Sequence, residues 1–257
     1  MERLTQILKE YKKLAIAYSG GVDSNFLYQV ARQTLGNENV LAVLCEGSMM
    51  PQSEIEEAKK NLEGGQYVII PVDVFAVDEF LHNRKDRCYH CKMNVMSTVK
   101  AEAKKRGFDY VADGNNKDDG ADGVYRPGMK ACEELGILSP LAQAGFTKKM
   151  IRKYSKELNI STYNKPANAC LASRFPYDTL LTQEKLDLVS KAEDLFHELG
   201  IGYVRVRVHE EIARIEVEKD QFQLVLEHPE LVQELKNLGF KFVTLDLAGI
   251  SSGSFDK

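Results

Sequence analysis

Six consecutive residues, Ser19-Gly20-Gly21-Val22-Asp23-Ser24, have the make-up of an anion site. Two glycines let a backbone approach a ligand with no Cβ in the way. Residues 14–17 read as a short buried strand and residues 25–35 as a helix, so loop N–H groups and a positive helix end converge there. Ser19 and Ser24 can donate to phosphate oxygens, and Asp23 can hold Mg²⁺ directly or through water. A plain turn after a strand needs neither the serines nor the aspartate. The loop lacks the Gly-Lys-Ser/Thr ending of a Walker loop and the spacing of Gly-x-Gly-x-x-Gly.

Three of the five cysteines also have spacing that can do chemistry. Cys88 and Cys91 form Cys-Tyr-His-Cys, and if they open a helix their sulfurs lie on one face. The pair fits a redox dithiol, half a zinc site with His82 and His90 nearby, or half an iron–sulfur site. Cys170 stands far downstream in Ala169-Cys-Leu-Ala-Ser-Arg174. Three thiolates would leave one iron of a [4Fe–4S] cluster open to carry sulfide. The residues alone leave all three readings standing. Cys45 and Cys132 read as core residues.

Asp113-Gly-Asn-Asn-Lys-Asp-Asp119 leaves the carboxyl end of a short strand with three acids. It is either a solvated turn or a place where Asp118 or Asp119 faces a Mg²⁺-pyrophosphate, since acids would repel naked phosphate. The loop 46–53 follows another strand, where an adenine ring can rest near Ser48. Arg205 and Arg207 alternate with Val204, Val206 and Val208, and Arg214 and Glu216 with Ala213, Ile215 and Val217. Strand periodicity puts the three arginines and Glu216 on one face, either solvated or gripping a phosphate. Arg174, four residues after Cys170, is placed to neutralise a substrate near the sulfur.

Strands at 14–17, 40–45, 67–72 and 110–112 alternate with helical stretches, including 74–81 and 93–106, and predict a doubly wound parallel α/β sheet. After 166–177 the order becomes α-β-β-α-β, which predicts a smaller C-terminal α+β domain. The expected division is 1–180 and 181–257. The 257 residues carry a net charge of −4 with a pI near 5.8, which disfavours a mainly electrostatic nucleic-acid binder. No apolar run reaches the roughly 18 residues of a membrane span, and Met1-Glu2-Arg3 does not open a signal peptide, so a cytoplasmic protein is expected.

The loop resembles the PP-loop of the N-type ATP pyrophosphatases. That resemblance implies cleavage between the α- and β-phosphates, with AMP passed to a substrate oxygen. Nearly end to end the chain resembles the LarE family of ATP-dependent sulfurtransferases. The carriers are Ser19–Ser24, Arg87-Cys-Tyr-His-Cys-Lys92, Asp113–Asp119, Tyr125-Arg-Pro-Gly128, Ser139-Pro-Leu141 and Ala169–Arg174. The family implies nickel-pincer cofactor biosynthesis, in which the carboxylates of a pyridinium-3,5-dicarboxylate mononucleotide are adenylated and become thiocarboxylates. Some members sacrifice the sulfur of one cysteine, matching Cys170. Others hold a [4Fe–4S] cluster on three, and Cys88 and Cys91 place this chain with those. The resemblance thus implies ATP, Mg²⁺ and a cluster, and a homo-oligomer, a hexamer. The arginine face then has a mononucleotide phosphate to grip. One departure stands in Gly249-Ile-Ser-Ser-Gly-Ser254, where the family leads one to expect an aromatic residue and an arginine at Ile250 and Ser251. That weakens a phosphate role for this loop. Two other readings are a tRNA 2-thiolation enzyme with the same chemistry, and a non-catalytic nucleotide-binding or zinc protein that binds ATP without releasing pyrophosphate.

Overall fold

The runs LAIAY and VLAVLCE are apolar at nearly every position, as strands covered on both faces are. In the computed structural model, which describes residues 1–120, 127–166, 169–251 and 255, they form β1 (Leu14–Tyr18) and β2 (Val40–Glu46). The two pair in parallel, Leu14 opposite Val40 through Tyr18 opposite Leu44. β3 (Gln66–Pro71) adds beside β2, and β4 (Tyr110–Ala112) lies on the other side of β1, both parallel. The order β3-β2-β1-β4 is that of a doubly wound α/β sheet, as expected. The order of connection reverses between β1 and β4, so the loops that follow these parallel strands leave the sheet side by side, where open α/β sheets bind ligands.

The helices, in chain order, are α1 (Glu2–Lys9), α2 (Val22–Leu35), α3 (Gln52–Leu62), α4 (Asp78–Leu81), α5 (Arg87–Lys105), α6 (Pro127–Glu134), α7 (Pro140–Gln143), α8 (Lys148–Glu157), α9 (Gln183–Glu198), α10 (Phe222–Leu226) and α11 (Glu230–Asn237). Leu4 and Leu8 of α1, Phe26 and Leu27 of α2, Ile55 and Leu62 of α3, Leu141 of α7 and Ile151 of α8 share one core with β1 and β2. α5 buries Met96, Val99 and Ala103 and touches β1, β2 and β4. The helix expected over 74–81 is shorter. Asp73 Oδ1 accepts the N–H of Phe75 at 2.9 Å and turns the chain there, so the helix begins only at Asp78.

The chain forms two compact units, residues 1–77 with 86–167, and residues 78–85 with 168–257. The second holds α9, whose start is capped by Thr182 Oγ1 accepting from Lys185 N. It also holds a sheet of β5 (Val204–His209), β6 (Ile212–Val217) and β7 (Phe242–Leu245), antiparallel between β5 and β6 and parallel between β6 and β7. The α-β-β-α-β order is as expected. Among the described residues no helix is long and apolar enough to cross a membrane.

Candidate active site

The loop between β1 and α2 is tied to itself by its serines. Ser24 Oγ accepts the N–H of Ser19 at 3.2 Å, lies 3.0 Å from Ser19 Oγ, and can donate to Gly21 O at 3.2 Å. Among the described residues no side chain caps α2 at Gly21, which leaves the first-turn N–H groups for a ligand. Gly20 has φ +71°, and a Cβ there would stand 2.8 Å from Ala58 Cβ of α3. From the β4 side, a Cβ on Gly114 would stand 2.8 Å from the backbone N of Ser24. Gly114→Ala should therefore push the two loops apart. Overpacking of this kind costs about 1–3 kcal/mol, so nucleotide affinity should fall by about 5- to 150-fold if the whole cost falls on the bound arrangement of the loop, measured by equilibrium binding. Gly202→Ala, where nothing among the described residues lies within 4 Å, should leave affinity unchanged.

Asp23, on the first turn of α2, meets a cation from a distant helix. Lys148 Nζ at the start of α8 lies 2.5 Å from Asp23 Oδ2. The other oxygen, Oδ1, is buried and has no hydrogen-bond partner among the described residues. Burial pushes the Asp23 pKa up, Lys148 opposes that by hydrogen bond and charge, and the charge of Asp119 adds to the rise. Asp119 Oδ2 accepts from Asn116 N, and Asp118 Oδ2 accepts from Lys148 N at 2.8 Å. A buried carboxylate with an open oxygen beside a second acid fits a hard divalent cation. Arg152, one turn after Lys148, also draws on Asp23 and holds the carbonyls of Tyr163 and Lys165 at 2.9 and 2.7 Å. Sequence reasoning missed Lys148 and Arg152. The available signal was Thr147, an N-cap, before two basic residues spaced one turn apart around the buried Ile151.

Ser48 lies partly buried in the turn after β2, closed by Met50 N donating to Gly47 O. Cys88 and Cys91 do open a helix, the first turn of α5, with Cys88 exposed and Cys91 half-buried. Tyr89 between them donates to Glu134 Oε2 of α6 at 2.5 Å. Cys45 and Cys132 are buried, and burial pushes both thiols up to about 12, which makes them inert. Among the described residues no group of three or more His, Cys, Asp or Glu side chains is arranged to hold a metal ion.

Cys170 belongs to the second unit, exposed, just before the 3₁₀ turn Leu171–Arg174. Arg174 is 2% exposed and is held by Glu193 of α9, with Nε and Nη2 each 2.8 Å from its oxygens. Nη1 donates to Ala169 O and to Ser173 Oγ, so the guanidinium organises the turn around Cys170. The strand register places Arg205 opposite Glu216 and Arg207 opposite Arg214, so the four do share a face. That face is not solvated. Arg205, Arg207 and Glu216 are 5%, 2% and 1% exposed. Arg207 donates to Glu216 Oε2 and to Ser173 O, and Arg214 Nη2 to Glu216 Oε1. Arg205 has no carboxylate in ion-pair contact among the described residues, and burial with the charges of Arg174 and Arg207 lowers its pKa.

A model of the NAD synthase family matches residues 2–109, the stretch from α1 to the start of β4. The uncharacterized protein slr1717 of Synechocystis is 38% identical over the whole chain and 97% of its own length. Pyridinium-3,5-bisthiocarboxylic acid mononucleotide synthase of Lactiplantibacillus plantarum is 35% identical over 97% of this chain and 91% of its own. This chain belongs to the LarE family.

Two LarE-like motifs fall partly outside the described residues, Tyr125-Arg126 and the stretch 252–254. At the edge of the arginine face, His209 sits against Phe255 with ring centroids 5.2 Å apart. Burial and the charges of Arg214 and Arg207, against the pull of Glu216, lower its pKa. The unfolded chain then binds more protons than the folded one as pH falls past the ordinary value of about 6.5. His209 therefore costs stability on acidification. Urea unfolding of His209→Asn between about pH 7.5 and 5 should show a shallower loss than the wild type.

Proposed function

We propose that this chain is an ATP-dependent sulfurtransferase acting on a pyridinium-3,5-dicarboxylate mononucleotide in nickel-pincer cofactor biosynthesis. The observation that carries this reading is the buried Asp23 with its open oxygen beside Lys148, in a chain similar to a synthase of the bisthiocarboxylic acid mononucleotide. ATP lays its triphosphate on residues 19–24, with adenine near Ser48. Asp23 and Asp119 would hold Mg²⁺, which when bound would offset the charge of the phosphates. Lys148, now on Asp23, would be free to pair with a phosphate oxygen if Asp23 turned to the metal. A carboxylate oxygen of the mononucleotide attacks the α-phosphorus and pyrophosphate leaves. Sulfide then attacks the acyl carbon, and AMP departs with the carboxylate oxygen.

On the family resemblance, Cys88, Cys91 and Cys170 would hold a [4Fe–4S] cluster, which when bound would supply sulfide. Cys88 and Cys91, one helical turn apart at the start of α5, suit two of its ligands. Arg174 positions Cys170 by holding the carbonyls of Ala169 and Cys170. Arg205 and Arg214 receive the mononucleotide phosphate, while Arg207 and Glu216 hold the arginine face in place. A cytoplasmic homo-oligomer completes the reading, on the family resemblance.

The test is pyrophosphate release from ATP and Mg²⁺ with sulfide present. The mononucleotide should trigger equal amounts of pyrophosphate and AMP and a product heavier by the oxygen-to-sulfur difference. Release triggered by deacylated tRNA instead would mark a tRNA thiolase. ATP binding with no pyrophosphate would mark a non-catalytic protein. Either result overturns the assignment.

A further inference from the structure

Lys165 has no part in the chemistry above, yet it touches the nucleotide loop. Its side chain is 9% exposed, and its ammonium lies 2.5 Å from Glu54 Oε2, 2.7 Å from Glu57 Oε2 and 3.4 Å from the carbonyl oxygen of Gly20. Both carboxylates belong to α3, the helix whose Ala58 fills the space beside Gly20. The carbonyl of Lys165 is itself held by Arg152 at 2.7 Å.

The Gly20–Gly21 peptide joins two glycines, so rotating it through a half-turn costs little. One orientation offers the Gly21 N–H to an anion. The other offers the Gly20 carbonyl oxygen, which repels it. We propose that Lys165 is a positioning residue that sets the affinity of the loop for the ATP phosphates. It draws the Gly20 carbonyl toward its ammonium and so keeps the Gly21 N–H turned to the ligand. Glu54 and Glu57 hold the ammonium in place, so α3 braces the loop both by contact and by charge. The inference rests on the proposed reading of the loop as an ATP site.

Equilibrium binding of Mg²⁺-ATP to the full chain tests it, beside steady-state pyrophosphate release. Lys165→Met should weaken binding by about 10-fold or more, as loss of a charge-assisted hydrogen bond does. The KM for ATP should rise in step, with kcat within about 2-fold of wild type, because uniform binding alone is lost. Lys165→Arg should recover most of the affinity. The amide resonance of Gly21 should shift on nucleotide binding in the wild type and shift less in Lys165→Met. Should Lys165→Met fail to fold, Glu54→Gln with Glu57→Gln releases the ammonium without removing it and should weaken binding likewise. Equal affinity in the wild type and a folded variant of either kind overturns the role of Lys165. Absence of ATP binding in the wild type overturns the ATP reading itself.

Discussion

Lys148→Met should lower kcat/KM for pyrophosphate formation by about 10²–10³, the usual loss when one preorganised charge donor is removed from a reacting group. It should also change the shape of the pH profile. Asp23 is pushed toward protonation by burial and by Asp119, and Lys148 opposes that push. Without the ammonium the Asp23 pKa climbs further, and a protonated Asp23 cannot ligate Mg²⁺. The acid limb of kcat/KM against pH should therefore move to higher pH, and Lys148→Arg should restore most of it. A rate loss with an unmoved acid limb would mean that Lys148 does not govern the charge of Asp23.

Glu193→Ala should strongly destabilise the second unit. It would leave the Arg174 guanidinium buried without its carboxylate, a loss of about 3–5 kcal/mol in comparable pairs. Glu193 Oε1 also accepts the N–H of Val206 at 2.9 Å, so the start of β5 would lose a partner too. Urea unfolding should show the drop. Replacing Arg174 and Glu193 together by leucine should recover much of it, because the isolated charge is then gone, although Val206 stays unpaired. If Glu193→Ala unfolds at the wild-type urea concentration, the pair does not hold this unit together.

The parts of this molecule that were legible in its sequence are those whose chemistry is local. Ser19 to Ser24 announced a loop because glycines, serines and an aspartate between a strand and a helix have few other uses. The shared face of Arg205, Arg207, Arg214 and Glu216 followed from alternation alone, since strand periodicity fixes which side a residue takes. Its burial did not, because cover comes from elsewhere in the chain, as in the Arg207 contacts to Ser173 and Ser251. Lys148 was invisible for the same reason: its partner lies 125 residues away, and a basic first turn of a helix reads as ordinary surface. Glu193 could have been found. It lies on the same stripe as Leu186, Val189 and Phe196, all fully buried, and a carboxylate on such a stripe needs a buried cation. The packing of residues 78–85 with the second unit, through Asn83 Nδ2 to the carbonyls of Phe175 and Pro176, has no local signature.

In the proposed reaction the carboxylate oxygen of the mononucleotide becomes bonded to the α-phosphorus of ATP before sulfur replaces it. Mononucleotide labelled with heavy oxygen in its carboxylates, turned over by the protein in ordinary water, tests this directly by mass spectrometry of the released AMP. Each carboxylate converted should leave one heavy oxygen in the AMP. AMP without the label, or label found only in inorganic phosphate alongside ADP, would contradict it.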